Sequence, residues 1–316
     1  MRLKKKFFSI ILSIPILGPI LYFFQSKYIG GDQAAYWIFY DYVSDEPLNK
    51  VSYFGYYWLG AIEPIHLYVM WIGSRLNIDK NLYVTLYNLL FVFGLFLFLQ
   101  KNKVKVLPQI LIYGNFYVSV LLFAAERLKF AYILIFYSQL VPIGLSNFLL
   151  LISPLAHLQS TLILILAYIG TLTEDLKKFF TRLTLRRRFL GEGAFFFGLL
   201  SILIFFTINT LIFKIGGYIS MGLFSLNDFI NFFGLYIVTF NLIKEKFKFS
   251  LMYLPLIVPL ILLGGFRINM ISFTISSFFI IKENKSSNLL YLSILSYFFY
   301  KNFIFLDQVI NTGTGF

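Results

Sequence analysis

The sequence predicts an all-α, polytopic integral membrane protein, with about eleven transmembrane helices in a single transmembrane domain over 1–316. Three observations predict it. Of the 316 residues 59% are hydrophobic and only 13% charged, with a mean hydropathy of +0.79, more apolar surface than a water-soluble core can absorb. Apolar runs approaching the roughly 20 residues of a bilayer crossing recur along the chain. Lys and Arg fall in short clusters between those runs, so the net charge of +13 reads as a topology signal and no nucleic-acid partner is expected. Aromatics, led by 40 Phe and 22 Tyr, suit a lipid-facing surface with interfacial belts.

The first run, 7–25, follows Lys4, Lys5 and Lys6, and its Pro15, Gly18 and Pro19 are followed by no small-residue cleavage site; it is expected to remain as the first span. The next spans are expected at 82–100 and 106–125, then three short ones at 128–142, 145–158 and 159–173. Five more follow at 194–213, 228–243, 250–265, 268–281 and 288–306. With the N-terminus inside, the inside loops hold 18 of the 27 basic residues, among them Arg2, Lys101, Lys103, Lys105, Lys244 and the run Arg186-Arg187-Arg188. Merging 145–173 into one span would move that arginine run outside, so two spans are kept there. This orientation leaves a cytoplasmic basic loop at about 174–193 and a long external segment at about 26–81. The external segment mixes aromatics with Asp32, Asp41, Asp45, Glu46 and Glu63, and its stretch from Pro64 to Ile72 is apolar enough to lie in the interface or re-enter the bilayer. No internal repeat is evident.

Ionisable groups near the outer face are costly unless paired, hydrated or used, and five places stand out. Gly30-Gly31-Asp32-Gln33-Ala34-Ala35-Tyr36 combines a glycine turn with an aspartate that could bind sugar hydroxyls or act as a base, or could cap the following helix. Glu63 precedes Pro64 and an apolar run, as a site carboxylate or a first-turn one. In Glu126-Arg127-Leu128-Lys129, the planar fork of Arg127 suits a bidentate phosphate contact, or the side chain snorkels to headgroups. His157, one of two histidines, could take a proton from an attacking hydroxyl or serve as an interhelical hydrogen-bonder. Gly264-Gly265-Phe266-Arg267-Ile268-Asn269-Met270 puts a second arginine at an outer helix end, where two such residues could clamp a pyrophosphate.

Other chemistry is excluded or weakened. Without cysteine there are no disulfides and no thiolate metal sites. No His-Glu-x-x-His, Walker A or dinucleotide glycine pattern occurs, and no metal site is expected. Gly144-Leu145-Ser146 continues as Asn147 where an intramembrane serine protease has Gly, and the Arg and His spacing of membrane acyltransferases is absent around His66 and His157.

Taken in order, Gly30-x-Asp32-x-x-x-Tyr36, Glu63-Pro64, Arg127 at the opening of a span, His157-x-x-Ser160 and Arg267-Ile268-Asn269-Met270 resemble the EpsG-like branch of the Wzy polysaccharide polymerases. The pattern extends from about 28 to 285. The resemblance implies a GT-C-like glycosyltransferase architecture in the bacterial inner membrane, with its site facing the periplasm or cell exterior. It implies a growing glycan on polyprenyl (undecaprenyl) pyrophosphate as donor and a single lipid-linked repeat unit as acceptor, in making O-antigen, capsule or exopolysaccharide. In that scheme Arg127 and Arg267 bind pyrophosphate, and His157, with Asp32 and Glu63, supplies the base. Gly30, Gly31, Tyr36, Lys129 and Asn269 are the expected substrate contacts. No cofactor is required, although a divalent ion held by Asp32 against the pyrophosphate stays open. Membrane lipids and a chain-length regulator protein are the implied partners. O-antigen ligases usually carry their larger external region late in the chain, whereas here it is early. A flippase for the lipid-linked unit is a further alternative, and such transporters usually have twelve or more spans and an internal repeat.

Overall fold

The computed structural model describes residues 2–61, 63–166 and 225–315. The expected span 194–213, residues 167–173 of the expected span 159–173 and the basic loop at 174–193 lie outside them. The chain is all-helical, with no strand among the described residues. It divides into two compact units, Met1–Leu164 with Asn284–Phe316, and Ile165–Glu283.

In the first unit α1 (Arg2–Lys27) covers the first expected span. The segment expected to be external folds as α2 (Asp32–Tyr42), a 3-10 turn at Leu48–Lys50, α3 (Val51–Leu59) and α4 (Pro64–Arg75). Gly60, at φ 53°, ends α3 in the left-handed conformation, and Pro64 opens α4 at its first turn. Gly55 lets α3 lie against α4, since a Cβ there would come within 2.4 Å of a Leu67 methyl. Next comes α5 (Lys80–Lys101), capped by the Asp79 carboxylate, which accepts from the Leu82 amide at 2.8 Å.

The expected span 106–125 is a bent pair, α6 (Val106–Tyr113) and α7 (Phe116–Phe123), at 47° to each other. At the bend the Asn115 side chain accepts from the Tyr117 amide, starting a new helix. Gly114 is required there because Phe299 occupies the space a Cβ would need. Two shorter helices follow, α8 (Glu126–Ser138) and α9 (Ile143–Ala156), with 13 and 14 residues. At ~1.5 Å per residue each is near 20 Å, less than the ~30 Å hydrocarbon thickness. α9 stops at Ala156, His157 is extended, and helix resumes at 160–166.

In the second unit α10 (Leu226–Leu242) lies against α13 (Gly265–Lys282). The expected span 250–265 is instead broken into α11 (Lys246–Tyr253), a 3-10 turn at Leu254–Leu256 and α12 (Ile257–Leu263). Pro255 in the turn lacks the amide that a continuous helix would need. The chain returns to the first unit as α14 (Leu289–Thr312), ended by left-handed Gly313. Two described helices, α5 and α14, are long and apolar enough to cross a membrane, and three spans result if α6 and α7 count as one.

Candidate functional site

Tyr36, Glu63, Arg127 and His157 converge in the first unit, where α4, α8 and α9 begin or end beside α2. Glu63 occupies the N-cap position of α4, yet its carboxylate makes no capping bond. One oxygen instead accepts from His157 Nδ1 at 3.1 Å and from the Leu158 amide at 3.4 Å. The other meets Arg127 Nη1 at 3.4 Å. Arg127, the second residue of α8, also donates from Nε to the Tyr36 hydroxyl at 3.1 Å, and its guanidinium lies 5.9 Å from the Tyr36 ring centre.

The structure fixes what these three side chains touch, where the sequence left alternatives open. Glu63 is an ion-pair partner, not a cap. Arg127 is turned inward and buried, so it does not snorkel. His157 is tied through Nδ1 to the Glu63 carboxylate, a bond that fixes the orientation of the ring. Arg127 is held on two edges, and among the described residues Nη2 has no acceptor. A guanidinium so fixed presents its remaining donors to an anion without having to reorganise.

Behind Tyr36 lies a second cluster that sequence reasoning missed. The other histidine, His66, places Nε2 3.2 Å from one Glu126 oxygen, while the second oxygen faces Lys80 Nζ at 3.4 Å and Gln33 Nε2 at 3.1 Å. Lys80 also donates to Gln33 Oε1 at 2.8 Å and lies 5.1 Å from the Trp37 ring centre. The His66 ring packs 5.5 Å from that of Tyr36, which joins the two clusters. Burial works to raise the Glu126 pKa, but the Lys80 charge and the His66 bond outweigh it and hold the carboxyl below the usual range. Burial lowers the pKa of His66 despite the Glu126 bond, and its Nδ1 finds no partner. Tyr36 is pushed up to about 12, chiefly by burial.

The remaining expected residues are placed differently. Asp32 is exposed in the first turn of α2, and Gly31, at φ 58°, occupies the N-cap ahead of it, as the glycine turn predicts. Gly30 packs on the chain end: its amide donates to the Gly313 carbonyl at 2.9 Å and a Cβ would strike Thr314. Lys129, expected among the substrate contacts, is fully buried and donates to Asn88 Oδ1 and to the Leu122 carbonyl, bracing α8 against α5 and α7. Asn88 in turn reaches Gln25 of α1 at 3.2 Å. Arg267 stands half-buried in the first turn of α13, in the second unit. Asn269, another expected substrate contact, donates to the Asp228 carbonyl at 3.1 Å and carboxylate at 3.2 Å, fastening α13 to α10.

Sequence signals for the missed residues were weak. Lys80 and Glu126 flank apolar runs, where a charge is by default a membrane-edge residue. No group of three or more His, Cys, Asp or Glu suited to a metal ion occurs among the described residues. In comparisons with known proteins no family model, no curated protein and no solved structure matches this chain.

Proposed function

We propose that the protein is a multi-pass inner-membrane glycosyltransferase of about eleven spans that polymerises polyprenyl-pyrophosphate-linked repeat units on the outer membrane face. One observation carries the reading. Glu63, Arg127 and His157, separated by 64 and 94 residues of chain, share one buried ion cluster of a kind that suits an anionic leaving group beside a base. In this scheme the acceptor hydroxyl oxygen attacks the anomeric carbon of the donor glycan. The bond from that carbon to the pyrophosphate oxygen breaks, and its electron pair leaves with the polyprenyl pyrophosphate. The hydroxyl proton passes to His157 Nε2, and Glu63 stabilises the imidazolium that forms. Arg127 meets the charge growing on the leaving group. Asp32, exposed at the start of α2, is the proposed contact to sugar hydroxyls.

The test is direct. Purified protein in lipid nanodiscs, given polyprenyl-pyrophosphate repeat units, is expected to make a ladder of longer lipid-linked products. No ladder, under conditions in which an established polymerase gives one, overturns the proposal. The Lys80, Glu126 and His66 cluster favours a second reading, a transporter of the lipid-linked unit, because buried ionisable groups in membrane helices also mark ion routes. Translocation of the unit across proteoliposomes without chain growth would select it.

A further inference from the structure

Glu63 is shared: one oxygen is bonded to His157 and the other to Arg127. We infer that Glu63 couples the two halves of the site, so that an anion bound to Arg127 makes His157 a stronger base. This rests on the proposal that Arg127 receives the donor pyrophosphate, and it adds that the base is switched on by the donor.

The physical argument concerns competition for one carboxylate. With no anion bound, the guanidinium compensates much of the Glu63 charge, and less remains to stabilise a proton on His157. An anion on the Nη2 edge of Arg127 neutralises that cation. The Glu63 charge then acts more fully on the imidazole 3.1 Å away, and the protonated form gains. Other groups near His157 are fixed by different bonds. Among the described residues, the elements packed most closely on α9 are α8, which carries Glu126, Arg127, Lys129 and Tyr132, and α4, which carries His66 and Tyr68. Glu126 is engaged by Lys80, Gln33 and His66, and Lys129 by Asn88. Among the described residues, Glu63 bonds both His157 and Arg127. A base that strengthens only when donor is in place would not activate water or acceptor idly, which protects a costly lipid-linked donor from hydrolysis.

The chain has two histidines, so labelled imidazole nitrogens give two sets of NMR signals, and the set lost in His157→Gln is assigned to His157. Titrating pH with and without inorganic pyrophosphate, in nanodiscs, reads the coupling without requiring turnover. Pyrophosphate is expected to raise the His157 midpoint by about one pH unit in the wild type. In Glu63→Gln the shift is expected to vanish, and in Arg127→Gln the midpoint is expected to start high and stay there. Pyrophosphate that fails to bind, that binds and leaves His157 unmoved, or that moves it equally in Glu63→Gln overturns the inference. A ladder without coupling would keep the polymerase and sink the switch, while coupling without a ladder would do the reverse.

Discussion

The molecule contains two histidine–glutamate pairs, and their surroundings differ. His157 and Glu63 keep 9% and 3% of their side-chain surface exposed, whereas His66 and Glu126 keep 0% and 1%. The first pair also borders the Arg127 guanidinium, whose Nη2 has no acceptor among the described residues, while the second is closed by Lys80, Gln33 and the Tyr36 ring. In the proposed scheme the first pair exchanges a proton with substrate, whereas the second holds its neighbours in place.

The contrast can be broken first by removing carboxylates. Glu126→Ala leaves Lys80 as a buried cation without its counter-ion, and a stability loss of about 3–5 kcal/mol is expected. Glu63→Ala is expected to cost less, about 3 kcal/mol, because Arg127 keeps its Tyr36 contact and slightly more exposed surface than Lys80. Thermal unfolding in detergent compares the two, and a larger loss for Glu63→Ala would reverse the assignment. Next in size is Arg127→Lys, which keeps the charge and loses the fork that bonds Tyr36 and Glu63 together. Turnover is expected to fall about 10²-fold in a variant that still folds, and full turnover would return Arg127 to a merely structural place.

The smallest effect is a pH dependence. His66 has its pKa lowered from 6.5, so the unfolded chain binds more protons than the folded one as pH falls below that value. Stability is therefore expected to decline on acidification from 6.5 downward, by at most about 1.4 kcal/mol per pH unit from this group. His66→Gln should flatten that part of the profile. An unchanged slope would mean that His66 is not held neutral.

Much of this was legible because apolar runs are long and charges in them are costly. The expected spans at 82–100 and 288–306 coincide closely with α5 and α14, which are long and apolar enough to cross a membrane, and the runs at 228–243 and 268–281 are helical as α10 and α13. Single runs hid two breaks, at Gly114-Asn115 and at Pro255, since hydropathy averages over a bend that local backbone chemistry makes. Glu63, Arg127 and His157 could be found as ionisable residues at the edges of apolar stretches. Their partnership could not, because it depends on which way α4, α8 and α9 turn their ends. Lys129 and Asn269 show the converse: each stands two positions from an arginine that the sequence singled out, and both are taken up in holding helices together.

The most direct test sets the two histidines side by side. Glutamine at either position keeps a hydrogen-bond donor toward its glutamate and removes the titratable nitrogen. In the polyprenyl-pyrophosphate ladder assay, at equal amounts of folded protein, His157→Gln is expected to abolish chain growth and His66→Gln to retain it. Chain growth with His157→Gln, or its loss only with His66→Gln, would contradict the account.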